Sequence, residues 1–115
     1  MSMLSMQYAG TLLGREAVIE FPDSHAEVRY TAKGQMRWRV VDSQGHVSKG
    51  CEKLSYLQLS DHLHFLNWIE KTGFTVSQVI DSAKGTVQAF WSYADEQCET
   101  GHRSSMFVEG RFRLR

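Results

Sequence analysis

Apolar and polar residues alternate with period two along most of this chain, and turn-forming residues interrupt the alternation at short intervals. Successive side chains of a strand point to opposite faces, so this pattern predicts half-buried antiparallel strands. The breaks fall at Pro22-Asp23-Ser24, Ala32-Lys33-Gly34, Asp42-Ser43-Gln44-Gly45, Ser60-Asp61, Lys71-Thr72-Gly73, Ser82-Ala83-Lys84-Gly85 and from Asp95 to Gly101. They delimit eight expected strands, at 15–21, 26–31, 35–41, 52–59, 62–70, 74–81, 86–93 and 103–114, and leave residues 3–13 as a short N-terminal helix or lid. Sequential strands joined by tight turns predict an all-β, antiparallel up-and-down barrel, because closure hides the edges an open sheet would expose.

Turn length sets strand register, and register sets which side chains face the interior. A four-residue loop at Ser82 to Gly85 opposes Ile80 to Val87, Gln78 to Ala89, Val76 to Trp91 and Phe74 to Tyr93, and opposed residues share a face. A three-residue loop at Lys71-Thr72-Gly73, with Gly73 left-handed, opposes Glu70 to Phe74 and Trp68 to Val76. One face therefore collects His64, Leu66, Trp68, Glu70, Val76, Gln78, Ile80, Ala89, Trp91 and Tyr93. A two-residue turn at Ser60-Asp61 adds Leu57 and Leu59 to that interior and leaves Leu54, Tyr56, Leu63, Phe65 and Ile69 outside. So large an outward apolar stripe marks a homodimer interface or a surface covered by the N-terminal segment. In the last strand Met106, Val108, Phe112 and Leu114 share the inner face, while Glu109, Arg111, Arg113 and Arg115 form a solvated outer row.

Composition narrows the class. At 115 residues, 42% hydrophobic and 23% charged, the chain has the size of one globular domain. Thirteen basic residues balance thirteen acidic ones, so no global field draws nucleic acid or an anionic membrane. Met1 to Gly14 has neither the basic start nor the uninterrupted apolar stretch of a secretory signal, and no apolar run is long enough for a membrane span, so a cytoplasmic protein is expected. Cys51 and Cys98 lack CxxC spacing and read as reduced thiols. No phosphate loop, Rossmann fingerprint or nucleophile elbow is present, and no cofactor is expected.

The candidate chemistry centres on Glu70. A carboxyl group inside a tryptophan-lined barrel has its pKa raised by desolvation, which suits an acid, a base or a polar anchor. At a barrel mouth it would instead be solvated, or cap the adjoining loop. His62 and His64 lie two apart on one strand, about 7 Å at the backbone, which resembles half a metal site; Glu70, about 20 Å beyond His64, is out of reach as a further ligand. No metal is expected, and His25, His46 and His102 fall in or beside turns. Trp38, Trp68, Trp91 and Tyr30 are the expected walls of an interior that is either packed or large enough for one small ligand. Interior polar groups such as Glu70, Gln78 and His64 favour the second, since buried polar atoms require partners.

Gly14 opening the first strand, the aromatic-rich third strand, the segment Trp68-x-Glu70-x-Thr72-Gly73-x-x-Val76-Ser77 and the following Asp81 resemble the MoaF-like proteins, which are small lipocalin-like (calycin) barrels. The Trp-x-Glu-x-Thr-Gly-x-x-Val-Ser segment also resembles phenolic acid decarboxylases. That second resemblance implies a catalytic glutamate at Glu70, beside two tyrosines and an arginine. The tyrosine positions hold Ile19 and Phe21, and the arginine's neighbourhood holds Gly45-His46-Val47, so the family's decarboxylation machinery is missing. The expected function is binding of a small, partly aromatic or apolar molecule inside the barrel by Glu70, Trp68, Trp91, Trp38, Tyr30, Gln78 and His64. The alternatives are a lyase or isomerase using Glu70 as general acid or base, and a homodimeric interaction module.

Overall fold

The computed structural model describes residues 8–115. It contains ten strands: β1 (Tyr8–Ala9), β2 (Glu16–Phe21), β3 (Ser24–Tyr30), β4 (Gln35–Asp42), β5 (Val47–Lys53), β6 (Ser55–Gln58), β7 (Leu63–Ile69), β8 (Thr75–Asp81), β9 (Thr86–Ala94) and β10 (Arg103–Leu114). They form one sheet in the order β1-β6-β7-β8-β9-β10-β2-β3-β4-β5, antiparallel throughout except for β1 against β6. β5 and β6 stand near opposite ends of that order, yet only Leu54 separates them in the chain. The sheet therefore curls until a single residue bridges its two ends, giving a nearly closed all-β barrel.

Both glycine-bearing hairpins have the expected register. Trp68 opposes Val76, Leu66 opposes Gln78, and Val76, Gln78 and Ile80 oppose Trp91, Ala89 and Val87. The third hairpin differs. The Leu59 N–H donates to the Leu63 carbonyl at 2.8 Å and Tyr56 opposes Leu66, so three residues, Ser60 to His62, make the turn. A one-residue change in loop length turns a whole strand over. Leu54 and Tyr56, expected on an outer interface, are buried in the core, whereas Leu57 and Leu59, expected inside, are exposed. This register gives the Tyr56 hydroxyl a buried partner, described below. Phe65 and Ile69 do lie on the outer face, the latter 65% exposed, and Leu63 is half-buried; Val79 and Phe107 extend the apolar surface.

The expected strand 52–59 is in fact the β5–Leu54–β6 corner, and β5 lies largely in a stretch read as loop. Its inward positions are Ser48, Gly50 and Glu52, opposite Val40, Trp38 and Met36. None of the three has the large apolar side chain that announces a strand. Gly50 is required by contact: a Cβ there would stand 2.7 Å from Trp38 Cζ2, so only glycine lets the indole lie against β5. The described part of the expected N-terminal helix, from residue 8, holds β1 and turns instead, with Leu12 buried in the core; residues 3–7 lie outside the described residues. The core gathers Tyr30, Leu54, Leu66, Ile80 and Val87, all fully buried. Each such aliphatic side chain contributes about 1.5–3 kcal/mol through lost water contact. Arg111, Arg113 and Arg115 are exposed, and Arg115 reaches Glu27 at 3.2 Å. Among the described residues no helix is long and apolar enough to cross a membrane.

Candidate functional site

Glu70 follows directly on the end of β7, where the chain turns. Its N–H donates to the Phe74 carbonyl at 2.8 Å, and the Gly73 N–H returns a bond of 2.8 Å to the Glu70 carbonyl. Gly73 closes this loop with φ +88°, a conformation other residues rarely adopt. The loop is also held from outside. Arg103, on β10, donates to the carbonyls of Gly73 and Ser92, both at 3.0 Å, and to Ser92 Oγ at 2.9 Å. Sequence periodicity gives no sign of Arg103, which starts a strand far along the chain.

The Glu70 side chain lines a cavity of about 230 Å³. Trp68, Trp91, Trp38 and Gln78 line it too, so five of the seven expected ligand residues meet there. Ile19 and Phe21, at the positions where the decarboxylase resemblance implies tyrosines, also line it, as do Ala26, Val40, Ser24 and Ser48. The space exists because Ser24, Ala26 and Ser48 are small where barrel-filling residues would otherwise stand. Trp91 forms an aromatic wall, with Phe21 edge-on at 5.7 Å and Phe74 tilted at 5.9 Å between ring centroids.

Burial pushes the Glu70 carboxyl above its usual pKa, and nearby Glu52 pushes it further; the opposing influence is the Trp68 indole, whose Nε1–H donates to Glu70 Oε2 at 3.2 Å. Glu52 shares the inner side because it opposes Met36, another lining residue. Two buried polar atoms of the lining have no protein partner, Gln78 Oε1 and Trp38 Nε1. The Gln78 side chain is 5% exposed, so bulk water does not reach it freely.

Tyr30 and His64 do not join this cavity. His64 lies deep under the Leu12 end, where its Nδ1 and the Tyr56 hydroxyl are 2.7 Å apart, and the Leu12 N–H donates to the same hydroxyl at 3.2 Å. Burial lowers the His64 pKa and His62 lowers it further. Tyr30 is wholly buried with its hydroxyl unpartnered, and burial, then Tyr56, raises its pKa. His62 is exposed in the turn, and His46 lies in an exposed turn against Asp42. No group of three or more potential metal-ligating residues is found among the described residues. A wider, open concavity of about 550 Å³ lies against the β2–β5 side, lined by Arg29, Arg37, Arg39, Lys49 and Arg115 with Glu16 and Glu27. Its acids are already engaged, Glu16 by Arg29 and Glu27 by Arg39 and Arg115.

A family model described as MoaF-like matches residues 13–104, a span that includes β2 through β9 and the whole Glu70 loop. The fold is shared with the crystal structure of a Burkholderia vietnamiensis protein provisionally assigned as a beta-lactamase: TM-score 0.76, 18% identity, covering 92% of this chain and 97% of that one. At that identity the likeness concerns the fold alone. No functionally curated protein matches the sequence.

Proposed function

The chain belongs to the MoaF-like family, and on that footing we propose that its barrel binds a small, partly aromatic molecule in the cavity beside Glu70. Gln78 carries this reading. Its amide oxygen is buried in a hollow lining and unpartnered, a condition that costs about 1–3 kcal/mol unless a donor arrives. A ligand donor satisfies it, and Trp38 Nε1–H offers a complementary donor. Glu70 supplies a polar anchor at the mouth, and Trp68, Trp91 and Phe74 supply flat apolar surface. Acid–base catalysis would draw on a second titratable group beside Glu70. Glu52, near it, is a like-charged acid outside the cavity lining, His64 and Tyr56 are bonded to each other at the other end, and His46 is exposed, so binding is the better-supported activity.

The test is native mass spectrometry of the protein as purified, followed by a thermal-shift screen of single-ring compounds against wild type and Ala26→Leu. Ala26 is buried at the cavity wall, and leucine there occupies the space a ligand would take. Retained or stabilising compounds that Ala26→Leu excludes, with the fold intact by circular dichroism, are the expected result. Compounds that bind the filled variant equally well would place binding elsewhere and overturn the reading.

A further inference from the structure

A ligand-binding barrel can be built for an anion, a neutral molecule or a cation, and the side chains around Glu70 discriminate among them. Among the described residues no lysine, arginine or histidine lines the cavity. Lys71, next in sequence to Glu70, is exposed in the turn, and Arg103 commits its donors to Gly73 and Ser92. A carboxylate or phosphate ligand would therefore enter an apolar space with no charge to meet it, at a cost of several kcal/mol. The one charged residue of the described lining is an acid, Glu70, and a second acid, Glu52, opposes the lining residue Met36 from β5 and is near enough to Glu70 to act on its charge. Like charges gathered in a half-buried site are relieved by a cation placed between them.

The surrounding walls suit an organic cation and not a hydrated metal ion. Trp68 and Trp91 present aromatic rings, and ring faces attract ammonium groups. Phe74, opposite Glu70 and directly before β8, is four residues from Gln78, about 13 Å of extended backbone. Less the reach of the two side chains, that distance fits one aromatic ring with a short arm. A volume of about 230 Å³ agrees, lying below the roughly 300 Å³ at which drug-sized sites begin.

Resting on the reading of the cavity as a ligand site, we propose that the ligand is a small aralkyl amine. Its protonated ammonium sits between Glu70 and Glu52, its ring lies against Trp91 and Trp68, and a hydroxyl or N–H at the far end donates to Gln78.

Three probes of one skeleton test this: tyramine, tyrosol and phloretate, which end the same hydroxyphenyl-ethyl arm in an ammonium, a hydroxyl and a carboxylate. Titration calorimetry on the full chain should find tyramine bound about tenfold more tightly than tyrosol, with phloretate weakest. Glu70→Gln should erase the amine's advantage over tyrosol, and Glu52→Gln should reduce it in part. Tyrosol or phloretate binding as well as tyramine would overturn the amine class, as would an amine preference that survives the double substitution. If those ligands are nevertheless excluded by Ala26→Leu, the cavity reading stands and only the charge assignment falls. Binding by none of the three, or stabilisation by calcium or magnesium ions alone, also overturns the amine class, while the retained-ligand experiment judges the cavity separately.

Discussion

The two ends of this barrel use the same kinds of side chain and reach opposite states. At the Leu12 end, Tyr56 and His64 are buried and bonded to each other, with a backbone N–H completing that hydroxyl's partners, and the unpartnered Tyr30 hydroxyl is enclosed in close packing. At the Glu70 end, Gln78 and Trp38 keep unpartnered polar atoms around a hollow whose described lining has one charged residue, the acid Glu70. Polar groups inside a barrel can close on one another and strengthen the fold, or be held apart by the walls and left for a visitor. The difference lies less in the polar residues than in their neighbours: Leu12, Leu66 and Ile80 fill one end, whereas Ser24, Ala26 and Ser48 leave the other open.

The largest effect that sharpens this contrast is a pair of truncations. Ile80→Ala, in the filled layer opposite His64, should cost about 2–5 kcal/mol in urea unfolding, because a cavity opens in close packing. Val40→Ala, at the hollow end and already half-buried, should cost less than about 1 kcal/mol. Equal losses would break the distinction between a packed and an unpacked end. A smaller effect comes from Tyr56→Phe, which leaves His64 Nδ1 and the Leu12 N–H without their partner and should cost about 1–3 kcal/mol by the same measurement. A change near zero would mean that the bond contributes little to closing that end.

The smallest effect is in pH, where the two ends respond with opposite sign. His64 has its folded pKa below the ordinary 6.5, so the fold prefers the neutral ring; this stability is present above 6.5 and is lost as pH falls toward the folded value. Glu70 has its folded pKa above the ordinary 4.5, so the fold prefers the neutral acid; this stability is present below 4.5 and is lost as pH rises through the folded value. Ligand-free Glu70→Gln should consequently be more stable than wild type at pH 7, by less than about 1 kcal/mol for so exposed a group, and indistinguishable below pH 4.5. Urea midpoints across the pH range check both arms. A destabilised Glu70→Gln at neutral pH would show that the carboxylate has a structural cation after all.

Much of the barrel was legible where glycine fixes the turns. Gly73 and Gly85 adopt left-handed conformations that set loop length, so the faces of β7, β8 and β9 followed, and Trp68, Glu70, Gln78 and Trp91 fell together. The Ser60-Asp61-His62 turn has no such residue. The two-residue turn expected at Ser60-Asp61 put Tyr56 and Leu54 on the wrong side. β5 went unseen for a deeper reason. Its inward residues are small or charged: Ser48 borders the cavity, Gly50 makes room for the Trp38 indole, and together with Glu52 they erase the alternation of a strand. Ser48 was missed together with the strand that carries it, Glu52 because the register turned the expected strand 52–59 the wrong way round, and Arg103 because nothing local marks a side chain that acts on a loop thirty residues away.

Leu54 gives the wall a mechanical character. Hydrogen-bond ladders hoop the barrel along β6 to β10 and on through β2 to β5, but where the ends of the sheet meet, one peptide corner takes the place of a ladder. A clasp of this kind stretches at its fastening first. Few interstrand bonds cross that fastening, and the buried Leu54 side chain and its N–H, donated to the Gly34 carbonyl at 2.9 Å, hold it shut. The seam of the wall therefore lies at the junction next to Glu52, and its closure rests on one buried side chain where every other neighbouring pair of strands has a ladder.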